Sequence, residues 1–232
     1  MGIWSSVGSI VSSIGSAISS AVSSIGSALS SFASTIAPVI GSIISAIPAI
    51  GKTISTIAQG LLQAFGVLKP DEKIEDLGEK AAQAAEAGIT FEEFGDFGEY
   101  IEKIRNFKID PEKASKRSSA EKIVAGLAVG TAGLENKLDL ERGALNSLWL
   151  LPITNSDYFN VDKLVSMVEK GQVDPEIYEY LENNLAASDS RDIEKKMEIG
   201  LNESEVDQLY EALDSSRSTY ETLAQEVNQK LS

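Results

Sequence analysis

Cysteine and histidine are both absent from this 232-residue chain. Without cysteine there is no disulfide framework and no thiolate nucleophile. Without either residue there is no Cys/His zinc site, and neither Ser-His-Asp nor Cys-His catalysis can be built from this chain alone. A histidine pH switch is excluded for the same reason. The lack of thiols fits any redox compartment. Basic residues are also in deficit, with 20 Lys+Arg against 35 Asp+Glu and a net charge of −15. Nucleic-acid surfaces need clustered Lys and Arg to neutralise phosphates, so no direct nucleic-acid binding is expected. No cofactor or metal site is read from the sequence.

Charge itself is missing from the first part of the chain. Lys52 is the single charged residue among residues 1–68. That part is built from Ser, Ile, Ala, Gly and Val, whereas the rest reads as ordinary acidic sequence. The break falls at Val67-Leu68-Lys69-Pro70-Asp71, where charges begin and Pro70 disfavours a helical Lys69. Two parts are therefore expected. Residues 1–68 form an uncharged amphipathic helical segment for membrane contact or oligomerisation, and 69–232 an acidic all-helical domain. No basic region precedes the apolar residues, so a secretory signal is not expected. Serines interrupt the apolar pairs, so the segment is not a plain transmembrane helix. Residues 36–50 come closest, punctuated by Pro38 and Pro48.

The segment contains a repeat. Residues 11–21 read VSSIGSAISSA and residues 22–32 read VSSIGSALSSF, with nine of eleven positions identical. A hendecad sets its apolar positions about 3.67 residues apart per turn, which favours straight or slightly right-handed helical assemblies. The same phase runs through Ile3, Val7, Val11, Ile14, Ile18, Val22, Ile25, Leu29, Phe32, Ile36, Ile40, Ile43, Ile47, Ile50, Ile54, Ile57, Leu61, Phe65 and Leu68. Its mean step is about 3.6 residues, the helical period, and the period of two expected of a strand is absent. A single helix of that length would reach about 100 Å at ~1.5 Å per residue. Pro38 and Pro48 predict breaks or kinks, hence two or three helical pieces with a common apolar face.

The opposite face carries Ser13, Ser16, Ser20, Ser24, Ser27 and Ser31, flanked by Gly15, Ala17, Gly26 and Ala28. Soluble amphipathic helices usually place Lys and Glu there. Small residues allow close helix approach, and a serine hydroxyl can bond a backbone carbonyl where water is scarce. The stripe with Trp4 could face lipid, with the serines lining a lumen. It could equally be buried beneath a serine coat. Trp4 reads as an interfacial anchor. Met1-Gly2-Ile3-Trp4-Ser5-Ser6 also matches the loose N-myristoylation pattern.

Beyond residue 70, helices are predicted near 71–87, 91–106, 118–137, 139–151, 160–170, 174–187, 189–199 and 203–230, making the whole chain all-α. Thr90 with Glu93 and Ser118 with Glu121 read as capping boxes. Asp110-Pro111 and Asp174-Pro175 read as Asp caps with Pro at the first helical position. Leu145, Leu148 to Leu151, Phe159 and Leu164 supply core. The small-residue run from Ala125 to Gly133 lacks a preceding strand and a following Lys, so it is no phosphate loop. It reads as close helix packing, or as a second membrane-seeking stretch too short to span. Asp157-x-x-Asn160-x-Asp162 is not an EF-hand loop, because its Gly and terminal Glu are misplaced. The acidic cluster Glu92, Glu93, Asp96 and Glu99 reads as solvated helix faces and caps rather than as acid/base catalysts.

In composition, residues 1–68 resemble phage DNA-pilot or ejection proteins and helical pore formers, which often open with Gly/Ala/Ser-rich helices. That resemblance implies an oligomeric, membrane-active protein brought by a carrier particle or injection machine. The residue reading alone gives the same leading expectation, with a lipid bilayer and further copies of the chain as partners. Its acidic part would face water or a basic protein partner, because a strongly negative domain is repelled by anionic surfaces. Two alternatives stand beside it. One is a structural component of a virion, tail or filament assembled through the hendecads; this is favoured by a polar face without Lys or Arg. The other is an enzyme or toxin domain at 70–232 behind a translocation segment. No catalytic constellation points to that one, so the protein is expected not to be an enzyme.

Overall fold

The apolar stripe does form helices, and the chain breaks them into three. The computed structural model describes residues 9–94 and 96–231, with side chains from residue 13 onward. Helix α1 runs Ser9–Ile25, α2 Ser30–Ala46 and α3 Pro48–Ala64. A single 3-10 turn, Ser27–Leu29, joins α1 to α2 and folds them into a helical hairpin. The break lies at Gly26, not at Pro38, which sits inside α2 without ending it. Pro38 is accommodated because it faces the smallest residue type on α1. A Cβ placed on Gly15 would lie 3.1 Å from the Pro38 ring. Pro48 does mark a break, and it occupies the first turn of α3, where its missing N–H costs no helical bond.

The remaining helices are α4 (Ile74–Glu86), α5 (Phe97–Arg105), α6 (Pro111–Lys116), α7 (Ser119–Lys137), α8 (Leu150–Thr154), α9 (Val161–Glu169), α10 (Ile177–Leu181), α11 (Ala187–Met197) and α12 (Glu203–Leu231). No strand occurs among the described residues. The all-α expectation holds.

Helix α7 is the axis of the fold. Ser118 and Glu121 close a reciprocal capping box at its start, as the spacing predicts. From Ile123 to Glu135 every residue is buried. It packs against α1, α2, α3, α4 and α5. Its glycines explain how. A Cβ on Gly126 would fall 2.1 Å from the Ile74 carbonyl oxygen, and one on Gly78 would fall 2.0 Å from that of Lys122. Backbone therefore meets backbone where α4 crosses α7, so the small-residue run is a close-packing device. Trp149, fully buried, donates its indole N–H to Thr131 of α7 at 2.7 Å.

The uncharged and acidic parts share this core. Ile18, Val22, Ile25, Phe32, Ile36 and Ile40 of the hairpin join one apolar cluster with Ile74, Leu127, Leu151 and Leu213. Helix α12 lies across α1 and α2 and closes that side.

Three predicted helices differ. The 91–106 helix divides into a 3-10 turn, Phe91–Glu93, and α5. Thr90 makes no side-chain cap; Asp96 caps instead, accepting from the Glu99 amide at 2.9 Å. Two acceptor–Glu pairs, Thr90/Glu93 and Asp96/Glu99, stand six residues apart; only the later one caps, and the Thr90 hydroxyl bonds the Glu92 carboxylate instead. The 139–151 helix survives only from residue 146, as a 3-10 turn, Asn146–Trp149, that runs into α8; before it the chain turns, because Asp139 (φ 54°) and Gly143 (φ 92°) adopt left-handed conformations. The buried Glu135 carboxylate collects the Gly143 and Leu145 amides there. The 174–187 helix shrinks to α10. Asp174 caps the turn through the Glu176 amide, but Asn183 at φ 55° ends the helix early.

Candidate functional site

At the hairpin tip, polar bonds fasten the uncharged part to the acidic part. Gly26 and the 3-10 turn after it leave backbone amides without helical partners, as any helix start does. Glu92 fills that role from 64 residues away. Its carboxylate accepts from the Ser27 hydroxyl at 2.6 Å and from the Ala28 amide at 3.0 Å. A Cβ on Gly26 would lie 3.0 Å from the same carboxylate, so glycine lets it approach. Burial alone would raise the Glu92 pKa. The Ser27 hydroxyl, the Glu92 and Ala28 amides and the Thr90 hydroxyl outweigh that and bring it down to about 2.

A second fastening lies one turn on. Asn146 donates to the Ser31 hydroxyl at 3.1 Å. Around the tip, Phe91 stands edge-on to Tyr100 with ring centroids 5.6 Å apart, and Phe94 does likewise at 5.7 Å. Arg142 lies over the Phe91 ring, 4.5 Å from its centroid. The Tyr100 hydroxyl is buried without a hydrogen-bond partner. Burial and the nearby Glu92 charge both raise its pKa.

The predicted stripe and serine face sort cleanly. Ile18, Val22, Ile25, Leu29, Phe32, Ile36, Ile40, Ile43, Ile54, Ile57 and Leu61 are buried, and Ile14, Ile47 and Phe65 are half-buried against the core. Ser13, Ser16, Ser20, Ser24, Ser27 and Ser31 all face solvent. Of the two arrangements foreseen for this segment, the folded chain adopts the buried stripe beneath a serine coat. Trp4 and Val7 lie outside the described residues, and Val11 is described only as backbone in α1.

Several hydroxyls of the coat return to their own helix. Ser24 donates to Ala21 O, Thr35 to Ser31 O and Ser45 to Gly41 O. Such bonds need neither water nor a partner chain. The stretch Ser27–Ala46 is long and apolar enough to cross a bilayer, and 61% of its apolar window is buried in the fold. Core helices of soluble proteins meet the same length and hydropathy criterion.

Sequence reasoning placed Glu92 only in an acidic cluster and did not single out Asn146. Nothing in local spacing links either residue to a serine on a distant helix. Among the described residues, no group of three His, Cys, Asp or Glu side chains could hold a metal ion. No protein family, curated protein or solved structure matches this chain.

Proposed function

We propose that the chain is a membrane-active helical protein that stores an apolar hairpin in its core and delivers it, as an oligomer, to a lipid bilayer. The observation that carries this reading is the hairpin itself. Residues 9–46 contain no charged side chain, include a stretch of spanning length and have hydroxyls that bond back to their own helices. Moving such a unit into lipid requires no charge to be desolvated. The Glu92 and Asn146 bonds hold it in the water-soluble form, and both carriers stay behind when it leaves. Delivery by a particle or injection machine, and docking of the acidic part to a basic carrier, fit the same scheme.

The test exploits the missing cysteines. The Cβ of Phe91 lies 3.3 Å from a Cβ built on Gly26. A Gly26→Cys/Phe91→Cys pair is therefore near disulfide range, about 3.5–4.5 Å between Cβ atoms. The reduced variant and the parent chain should float with liposomes and release trapped dye. The oxidised variant should do neither, and reductant should restore both. Equal release with the tip locked refutes hairpin delivery, and no flotation of the parent chain on zwitterionic or anionic vesicles refutes membrane activity.

One observation favours a second reading, assembly of a virion, tail or filament. The outward face of α1 is Ser and Ala without charge, a surface on which another helix can pack closely. Sedimentation of the full chain as a large oligomer, without any vesicle binding, would select it.

A further inference from the structure

The chain has no histidine, the side chain that ordinarily titrates around neutral pH. A carboxyl can take that place when it is buried away from cations. Glu79, Glu135 and Glu182 are the buried carboxylates among the described residues. Glu79 meets Arg117 and Lys122, and Glu182 accepts from the Tyr220 hydroxyl. Glu135, only 4% exposed, takes part in no ion pair among the described residues. Its bonds come from two backbone amides, Gly143 at 3.1 Å and Leu145 at 2.9 Å, and both end on Oε1. A proton on Oε2 therefore leaves both bonds in place.

The turn gathered in this way bears on the hairpin tip at three points. Asn146, next after Leu145, donates to the Ser31 hydroxyl at 3.1 Å. A Cβ on the left-handed Gly143 would lie 3.5 Å from the same Ser31 oxygen. Arg142 lies over the Phe91 ring, and the Phe91 Cβ is 3.3 Å from a Cβ built on Gly26. One buried carboxylate on α7 thus positions a turn that braces the tip.

Charges around Glu135 are few. Residues 9–46 bring none. Arg142, in the turn itself, favours the carboxylate. Glu92, across the tip, is already ionised above about pH 4.5. Burial pushes the Glu135 carboxyl above its ordinary 4.5, and the Leu145 and Gly143 amides and Arg142 offset only part of this.

We propose that Glu135 is a proton-sensitive latch on the hairpin tip. Neutral, it stays buried and keeps the turn closed. Charged, it gains by reaching water, which opens the turn and draws Asn146 and Arg142 off the tip. Closure therefore takes up a proton. The hold is complete below the ordinary carboxylate range and weakens as pH rises through the raised folded value. Glu92 has the opposite sign, since its bonds fail only in strong acid. The latch regulates the hairpin, so its effect on release rests on hairpin delivery; the opening of the turn does not.

The test is amide hydrogen exchange of the full chain across about pH 5–8, corrected for the pH dependence of intrinsic exchange. Opening at Gly143, Leu145 and Ala28 should rise by up to about tenfold per pH unit, then level off once the closed turn holds a charged carboxylate. Glu135→Gln is a neutral isostere that keeps the Oε1 acceptor. It should flatten the profile at the parent's low-pH value. If that variant fails to fold, the parent profile decides. Ser31→Ala/Arg142→Gln changes two exposed positions. It should keep the rise at Gly143 and Leu145 and lose it at Ala28. A flat parent profile, or a rise that survives in Glu135→Gln, overturns the proposal. A rise kept at Ala28 in the double variant overturns the coupling to the tip. Dye release from zwitterionic liposomes should be faster at about pH 8 than at about pH 5 in the parent, and equal at both in Glu135→Gln. Absent release beside the expected exchange refutes hairpin delivery and leaves the latch standing. Release that ignores pH beside the expected exchange overturns the latch's control of release.

Discussion

Replacing Glu92 with Gln keeps the side-chain shape and removes its charge from the hairpin tip. The wild-type carboxylate accepts two bonds, from the Ser27 hydroxyl and the Ala28 amide. Hydrogen bonds to a charged group are worth about 1.5–3 kcal/mol each. Glu92 is solvent-exposed, so screening reduces that figure, and a net loss of about 1–2 kcal/mol is expected. For a chain of this size the loss lowers Tm by about 2–4 °C per kcal/mol. The pH dependence has a definite sign. The folded pKa is held at about 2, below its ordinary 4.5. The stabilisation is therefore complete above about pH 4.5 and is lost as pH falls toward 2. Urea unfolding of wild type and Glu92→Gln should differ at pH 7 by the full amount, narrow below about pH 4.5 and converge only below about pH 2. Hydrogen exchange at the Ala28 amide should quicken in the variant at pH 7. A difference that persists unchanged at pH 2.5, or none at pH 7, would refute the fastening role. Because the transition lies so far below neutrality, mild acid leaves this fastening closed. The hairpin release proposed above would then need a surface or a partner rather than mild acid.

Gly126→Ala should destabilise by at least about 1–3 kcal/mol, because the new methyl meets the Ile74 carbonyl and the helices must part; urea unfolding measures it. Arg117→Met removes the closer of the two ion-pair partners of the buried Glu79, leaving it Lys122 at 3.6 Å and the Gln83 amide, and should cost less than the about 3–5 kcal/mol of a fully stranded charge. Adding Glu79→Leu to that variant should recover much of the loss, and a double-mutant cycle reads the coupling. Thr131→Val leaves the Trp149 indole N–H unpaired in the core and should cost about 1–3 kcal/mol, visible also in near-ultraviolet circular dichroism.

The helical character of the chain was legible because the apolar phase never slips across Pro38 and Pro48. The start of α7 was legible because Ser118 and Glu121 satisfy each other locally. What escaped the sequence was long-range. The cap at Thr90 fails because its hydroxyl goes to the Glu92 carboxylate, which itself reaches a serine distant in sequence. The first half of the helix expected at 139–151 gives way to a turn whose amides go to Glu135. Asn183 ends α10 in a left-handed conformation that many residues could have avoided. The stripe residues themselves were readable, but what they face was not. Periodicity shows that a face is apolar and says nothing about whether protein or lipid covers it.

The buried face of the hairpin is hydrocarbon, and Glu92 and Asn146 hold its tip. Such a hold has a thermal signature rather than an ionic one. Detaching the hairpin into water would expose apolar surface and raise the heat capacity. Added salt would hardly loosen it, whereas cooling would weaken it, since apolar association fades at low temperature. The tendency to open should therefore grow toward the cold, the opposite of what a clasp of ion pairs would give.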